Sequence, residues 1–314
     1  MIKSPLCELL GIEYPIFQGG MAWISDGRLA GAVSEAGGLG IISAMNADAG
    51  YLREQINIAR SITKKPFGVN VMLMSPHAAE VAELLAEEKV PVVTTGAGNP
   101  SKFMPIWKEA GIKVIPVVSS VGMARLCTKA GAAALIAEGS ESGGHIGETN
   151  TMPLVPQVVD ATNLPVIAAG GIADGRGVAA AFMLGAVGVQ LGTRFLVAYE
   201  CGVHENYKKK VLKANDRATI STGKRLGHPV RSIENQFSKG YAKAEYSTMP
   251  DDELEKLAAG ALRKAAVLGD EKEGCFLAGQ VAGMVNKEQS SKEIIEEIFS
   301  QAEEVLKGAS KWLN

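Results

Sequence analysis

The sequence predicts an α/β protein, a (β/α)8 TIM barrel with a C-terminal helical extension over the barrel mouth. Three observations carry that expectation. Eight short apolar runs alternate with helix-like segments between Tyr14 and Leu191, the pattern of βα units around a parallel sheet. Helices end at Ala36-Gly37, Ala110-Gly111 and Ala130-Gly131, which supplies a left-handed cap before each return strand. The first strand ends in Gln18-Gly19-Gly20-Met21 rather than GxGxxG, so it lacks the fingerprint of an open dinucleotide-binding sheet.

The elements follow in order. Residues 14–18 (YPIFQ) form the first strand and 26–36 its helix; 39–42 and 49–63 form the second pair. Next come 66–73 with 78–88, 90–95 with 102–110, and 113–118 with 122–130. The sixth strand is 133–138, and a long loop leads to a helix at 154–161. The turn after the second strand reads Ser43-Ala44-Met45-Asn46 and carries no glycine.

The stretch LPVIAAGGIADGRGVAAAFMLGAVGVQLGTRF, residues 164–195, organises the rest. Val166, Ile167 and Ala168 form a strand buried on both faces. Gly170 and Gly171 turn the chain, Asp174 caps a helix at 177–184, and Gly185 ends it. Residues 187–191 form the next strand, closed by Gly192 and Thr193. Two small-residue turns at the same end of adjacent parallel strands present backbone N–H groups to an anion. In an eightfold barrel the last two strand ends often bind phosphate. The alternative is that these glycines only permit close packing.

After Phe195 the pattern changes. A polar helix at 200–214 precedes an irregular stretch with Gly223, Gly227 and Pro229. Helices are expected at 251–267, around AGQVAGMV from Ala278, and at 291–307. This divides the chain into a barrel (1–199 with part of the C-terminal helices), a capping and substrate segment (200–290) and a terminal helix (291–314).

Bulk properties narrow the function. The chain has 314 residues, 46% hydrophobic and 21% charged, with net charge -2, so nothing draws it broadly to nucleic acid. Four cysteines without a CxxC pair argue against a zinc ribbon or a disulfide framework, and fit a reducing cytoplasm. No membrane span and no signal peptide is expected.

Function should sit at the C-terminal strand ends, which read Gln18 to Met21, Ser43, Asn70, Thr94 to Gly96, Ser119, Glu138, Gly170-Gly171 and Gly192-Thr193. Such small and amide groups suit a flat polar ligand better than a metal. Asn70 lies in an apolar strand, where an unpaired amide is costly; its alternative role is a bond to neighbouring backbone. In Glu138-Gly-Ser-Glu-Ser-Gly-Gly-His-Ile-Gly147, Gly143 and Gly144 let the chain press on a ligand. His145 follows them and can trade protons near neutral pH; otherwise it is a loop histidine satisfied by backbone. His77 reads as structural. Cys201 and His204 have metal-like spacing but only two ligands, and His228 lies in the capping stretch within reach of the mouth.

YPIFQGGMAWISDGRLAGAVSEAGGLGII, PFGVNVML, TTGAGNPSK, AEGSESGGHIG, PVIAAGGIADG and QLGTRF together resemble the flavin-dependent nitronate monooxygenase superfamily, and within it the enoyl-[acyl-carrier-protein] reductase II branch. The resemblance implies non-covalent FMN with its phosphate on Gly170, Gly171, Gly192 and Thr193, and its ring against the Gly20-Met21 backbone. Asn70 and Glu138 would bond the ring edge or ribityl chain, Gly143 and Gly144 would approach the ring, and His145 would stand at the substrate. It also implies NADH or NADPH as co-substrate, stimulation by K⁺ or NH₄⁺, and a cytoplasmic homodimer. An acidic acyl carrier protein needs a basic surface, and Lys208 to Arg231 carries eight Lys or Arg against Asp216; the alternative is a solvated helix face. Two other functions compete: oxidation of nitronates by O₂ with His145 as base, and mere binding of a phosphorylated metabolite.

Overall fold

A computed structural model describes residues 2–44 and 48–312. Six parallel strands come first: β1 (Ile16–Gln18), β2 (Leu39–Ser43), β3 (Gly68–Met72), β4 (Val92–Gly96), β5 (Lys113–Val118) and β6 (Leu135–Glu138). The two-residue β7 (Gly144–His145) leaves the barrel; β8 (Val166–Ala169) and β9 (Gly188–Leu191) complete it. β9 pairs back onto β1 through Phe17 and Gln190, so the sheet closes. The expected barrel is borne out.

The helices between strands are α2 to α8, with α1 (Pro5–Leu10) ahead of β1. They are α2 (Gly27–Glu35), α3 (Ala49–Ile62), α4 (Ala78–Glu87), α5 (Met104–Glu109), α6 (Val121–Ala130), α7 (Thr151–Ala161) and α8 (Gly175–Met183). Their ends follow the sequence signals. Asp26 Oδ1 accepts the Leu29 N–H at 2.8 Å and starts α2. Asp174 does the same for α8 through the N–H groups of Arg176 and Gly177. Gly37, Gly111 and Gly131 all take positive φ after their helices.

Phe17, Leu39, Ile41, Val92, Ile115, Ile136 and Ile167 fill the barrel interior and are fully or almost fully buried. Leu6 and Leu10 of α1 join that cluster. A Cβ on Gly188, at the start of β9, would lie 2.4 Å from Leu6 Cδ2. So α1 seals the N-terminal end, and the opposite end stays open for polar residues. Sequence pattern alone did not reveal α1, because six residues are too few to show a helical period.

The chain after β9 departs most from expectation. The polar helix is α9 (Glu205–Leu212), shorter than 200–214. The stretch expected to be irregular holds two strands, β10 (Thr219–Thr222) and β11 (Val230–Ile233), which form an antiparallel sheet with β7. Its Gly and Pro residues punctuate the connecting turn, not the strands. α10 (Gln236–Glu245) follows, and the expected 251–267 helix is split into α11 (Asp251–Ala258) and α12 (Ala261–Ala266). Gly260, at φ +73°, makes the break. AGQVAGMV yields only a 3₁₀ turn, Gln280–Met284. α13 (Ser291–Gly308) buries Ile294, Ile295, Ile298, Phe299 and Ala302 and packs on α8 and α2. It therefore completes the helical ring. Of the glycine-poor turn after β2, Met45 and Asn46 lie outside the described residues.

Candidate active site

The open end of the barrel collects polar side chains from adjacent strands. Ser43 pairs in register with Asn70, and Asn70 with Thr94. Asn70 is half-buried and accepts a hydrogen bond from Thr94 Oγ1 at 2.9 Å. Its partner is thus a side chain, not backbone. The β1 loop crosses directly above it: a Cβ on Gly20 would lie 2.4 Å from Asn70 Cβ. Ser25 fixes that loop by accepting the Met21 N–H at 2.8 Å and donating to the Gly19 carbonyl. Met21 reaches the far side, where its Sδ would be 3.6 Å from a Cβ on Gly192.

The turns after β8 and β9 lie side by side, because Ala169 pairs with Gln190. Gly170 and Gly171 both sit in the left-handed region, at φ +87° and +71°, where a side chain costs about 1 kcal/mol or more. Among the described residues nothing accepts from the backbone N–H groups of Gly170, Gly171, Gly192 or Thr193. Four free donors at two neighbouring strand ends form a nest for an anion. Thr193 is buried, and its Oγ1 instead accepts the Gly279 N–H at 2.9 Å. Glu141, the acid next to Gly171, is tied to the Thr151 N–H and hydroxyl. This site fits the phosphate of the cofactor that the resemblance implies.

Glu138 ends β6 and is half-buried. Burial pushes its carboxyl up to about 7. The nearby Ser142 hydroxyl pulls the other way, but is itself buried without a hydrogen bond of ordinary geometry. The Ser142 hydroxyl is thus short of a partner, which suits a polar ligand at the mouth. Gly144 and His145 form β7 and pair with Arg231 and Val230 of β11. Gly143 has a packing reason of its own: a Cβ there would lie 2.6 Å from the Ala278 carbonyl carbon. His145 keeps an exposed edge, yet its imidazole sits below the ordinary histidine range. Desolvation is the larger cause, and His228 across the sheet is the second.

A family model described as nitronate monooxygenase matches residues 3–88 and 79–301. The chain belongs to the nitronate monooxygenase family. With that membership it is a flavin-dependent oxidoreductase. The fold is also that of FabK from Thermotoga maritima, at 48% identity and TM-score 0.97, covering 99% of this chain and 100% of that one. A "(3aS,4S,5R,7aS)-5-hydroxy-7a-methyl-1-oxo-octahydro-1H-indene-4-carboxyl-CoA dehydrogenase" of Mycobacterium tuberculosis is 35% identical over 98% of each chain. A "Probable nitronate monooxygenase" of Staphylococcus aureus is 33% identical over 97% of this chain and 98% of its own.

Within this family site, one interior residue went unread in the sequence. Gln190 faces the same layer as Phe17 and Ala169, and its Cδ would lie 3.0 Å from a Cβ on Gly19. The signal was available, since an amide inside GVQL breaks an apolar strand as Asn70 does in GVNVM. His77 and His204 stand apart from the mouth. His77 lies 3.7 Å from Glu80, and His204 Nδ1 accepts the Asn206 N–H at the start of α9. Among the described residues no cluster of three His, Cys, Asp or Glu side chains gathers, and no helix is long and apolar enough to cross a membrane.

The basic stretch is less free than its composition suggests. Lys208, Lys209, Lys210 and Arg225 have Glu288, Glu205, Glu271 and Asp251 within 4 Å. Among the described residues Lys213, Arg217 and Lys224 have no such carboxylate.

Proposed function

We propose that the protein reduces trans-2-enoyl thioesters on acyl carrier protein to acyl thioesters, the last step of fatty-acid elongation, with FMN and NADH or NADPH. The supporting observation is the 48% identity to FabK along nearly the whole chain, together with His145 in the segment after β6, which ends at the same end of the barrel as the free N–H donors after β8 and β9. A flavin held there would supply the relay of a hydride from the nicotinamide nucleotide to the β-carbon of the enoyl group. Gly170, Gly171, Gly192 and Thr193 would hold its phosphate, Gly20 and Met21 its ring face, and Asn70 and Glu138 its polar edge. Gly143 and Gly144 would let the chain come close to the ring.

As the β-carbon is reduced, negative charge grows on the thioester oxygen and a proton must reach the α-carbon. A neutral imidazole can donate one N–H to that oxygen without first losing a proton to water. The lowered pKa of His145 keeps it in that form at neutral pH. Carrier-protein binding would use the unpaired charges Lys213, Arg217 and Lys224. The reading includes a cytoplasmic homodimer and stimulation by K⁺ or NH₄⁺.

A second reading, oxidation of alkyl nitronates by O₂, draws on the same neutral His145, which equally suits a base. Anaerobic assay separates them. NADH oxidation coupled to a crotonyl thioester without oxygen is expected. Turnover only with nitronate and oxygen would replace the first reading by the second.

A further inference from the structure

The hairpin joining β10 to β11 is held more firmly than a surface turn requires. Glu245, the last residue of α10, is 4% exposed. Its two carboxylate oxygens accept the backbone N–H groups of Gly223 at 3.0 Å and Arg225 at 2.9 Å. The Arg225 guanidinium donates back to the carbonyls of Glu245, Ser247 and Met249 and to Asp251 Oδ1. The turn closes on itself as the His228 N–H meets the Gly223 carbonyl at 3.2 Å. Gly223 has no room for a side chain, since a Cβ would lie 2.7 Å from the His228 carbonyl oxygen.

What this clamp presents is His228. Val230 pairs with His145, and the ladder continues as the Ile146 N–H donates to the Pro229 carbonyl at 3.0 Å. His228 lies one residue beyond that ladder, at the end of the turn, near enough to His145 for its charge to act on the His145 imidazole. Both imidazoles have exposed edges.

We propose that His228 is the second proton-carrying group of this site and that Glu245 is the residue that positions it. The proposal rests on the enoyl-reduction reading. In that reaction the hydride from the nicotinamide nucleotide forms the β C–H bond, and the π electron pair moves to the α-carbon. A proton delivered through the His228 side chain then completes the α C–H bond, while His145 holds the thioester oxygen. His228 regains its proton from solvent, to which it is open.

The charged groups on the packed elements are otherwise engaged or distant in role. Glu141 is bound to Thr151, and Arg231 to the Ser140 carbonyl and Thr219. Arg225 is held at Glu245 and Asp251, and Lys224 and Glu148 are exposed.

The test follows the two half-reactions of the flavin-loaded enzyme by rapid mixing without oxygen. His228→Gln should leave reduction by NADH within about twofold. It should slow reoxidation by crotonyl thioester about 10²-fold. Glu245→Gln, which keeps one acceptor, should fall between wild type and Glu245→Ala in that step. Hydrogen exchange at the Gly223 and Arg225 amides should rise in the same order. Reoxidation by His228→Gln within twofold of wild type would overturn the role of His228. Faster amide exchange in Glu245→Ala with unchanged reoxidation would overturn the positioning. Failure of the wild-type enzyme itself to be reoxidised by crotonyl thioester would instead reject the enoyl reading.

Discussion

The two sides of the barrel mouth are built from different materials. On the β8–β9 side the chain offers bare backbone, with Gly170, Gly171, Gly192 and Thr193 presenting unclaimed N–H groups. On the β6 side it offers side chains, Glu138 at the end of the barrel strand and His145 on a small antiparallel sheet that the barrel alone does not contain. Backbone donors recognise charge and are nearly indifferent to sequence, so they suit a part common to every turnover. Side chains on an added sheet can be altered without disturbing the barrel, so they suit the part that meets the substrate. On the proposed reading, cofactor holding falls to one wall and proton handling to the other.

The sharpest way to break this division is His145→Ala. It should keep bound flavin and lose about 10²–10⁴-fold in enoyl reduction, read by flavin absorbance and anaerobic NADH consumption. Turnover unchanged from wild type would remove the proton-handling wall.

Glu138 gives a smaller effect, with a defined sign. Its folded-state pKa is raised to about 7, so the stability it contributes is complete at pH below the ordinary carboxylate range. That stability is lost as pH climbs through about 7. Glu138→Gln removes this loss. The flavin-free variant should gain about 1–2 kcal/mol relative to wild type at pH 8, discounted for the open mouth, and little at pH 4. Parallel thermal melts at the two pH values check it, and a constant difference would place the carboxyl in water.

The smallest effect belongs to the capping segment. Lys213→Glu with Arg217→Glu should raise KM a few-fold for carrier-protein substrates but not for coenzyme A analogues. Equal changes for both would leave these charges as solvated surface.

Legibility in the sequence tracked the two kinds of material. Barrel strands were readable because burial on both faces leaves uninterrupted apolar runs, and the helix ends because Asp26, Asp174 and the Ala-Gly pairs act locally. The glycine turns were readable for the same reason. The β7–β10–β11 sheet was not, since β7 is two residues long and its pairing with β11 spans some 85 positions of chain. Local pattern cannot register such a partner. His145 was found from its glycine neighbours, but its relation to His228 depends on that distant pairing. Three of the four ion pairs of the basic stretch were hidden likewise, because Glu288, Glu271 and Asp251 come from later segments.

The central claim is that the two glycine turns grip a phosphate. Titrating flavin-free protein with FMN and with riboflavin, which differ only in that group, tests it most directly by quenching of flavin fluorescence. The account predicts that FMN binds at least about 100-fold more tightly, the loss expected when several charge-assisted N–H bonds vanish. Equal affinity for the two would contradict it.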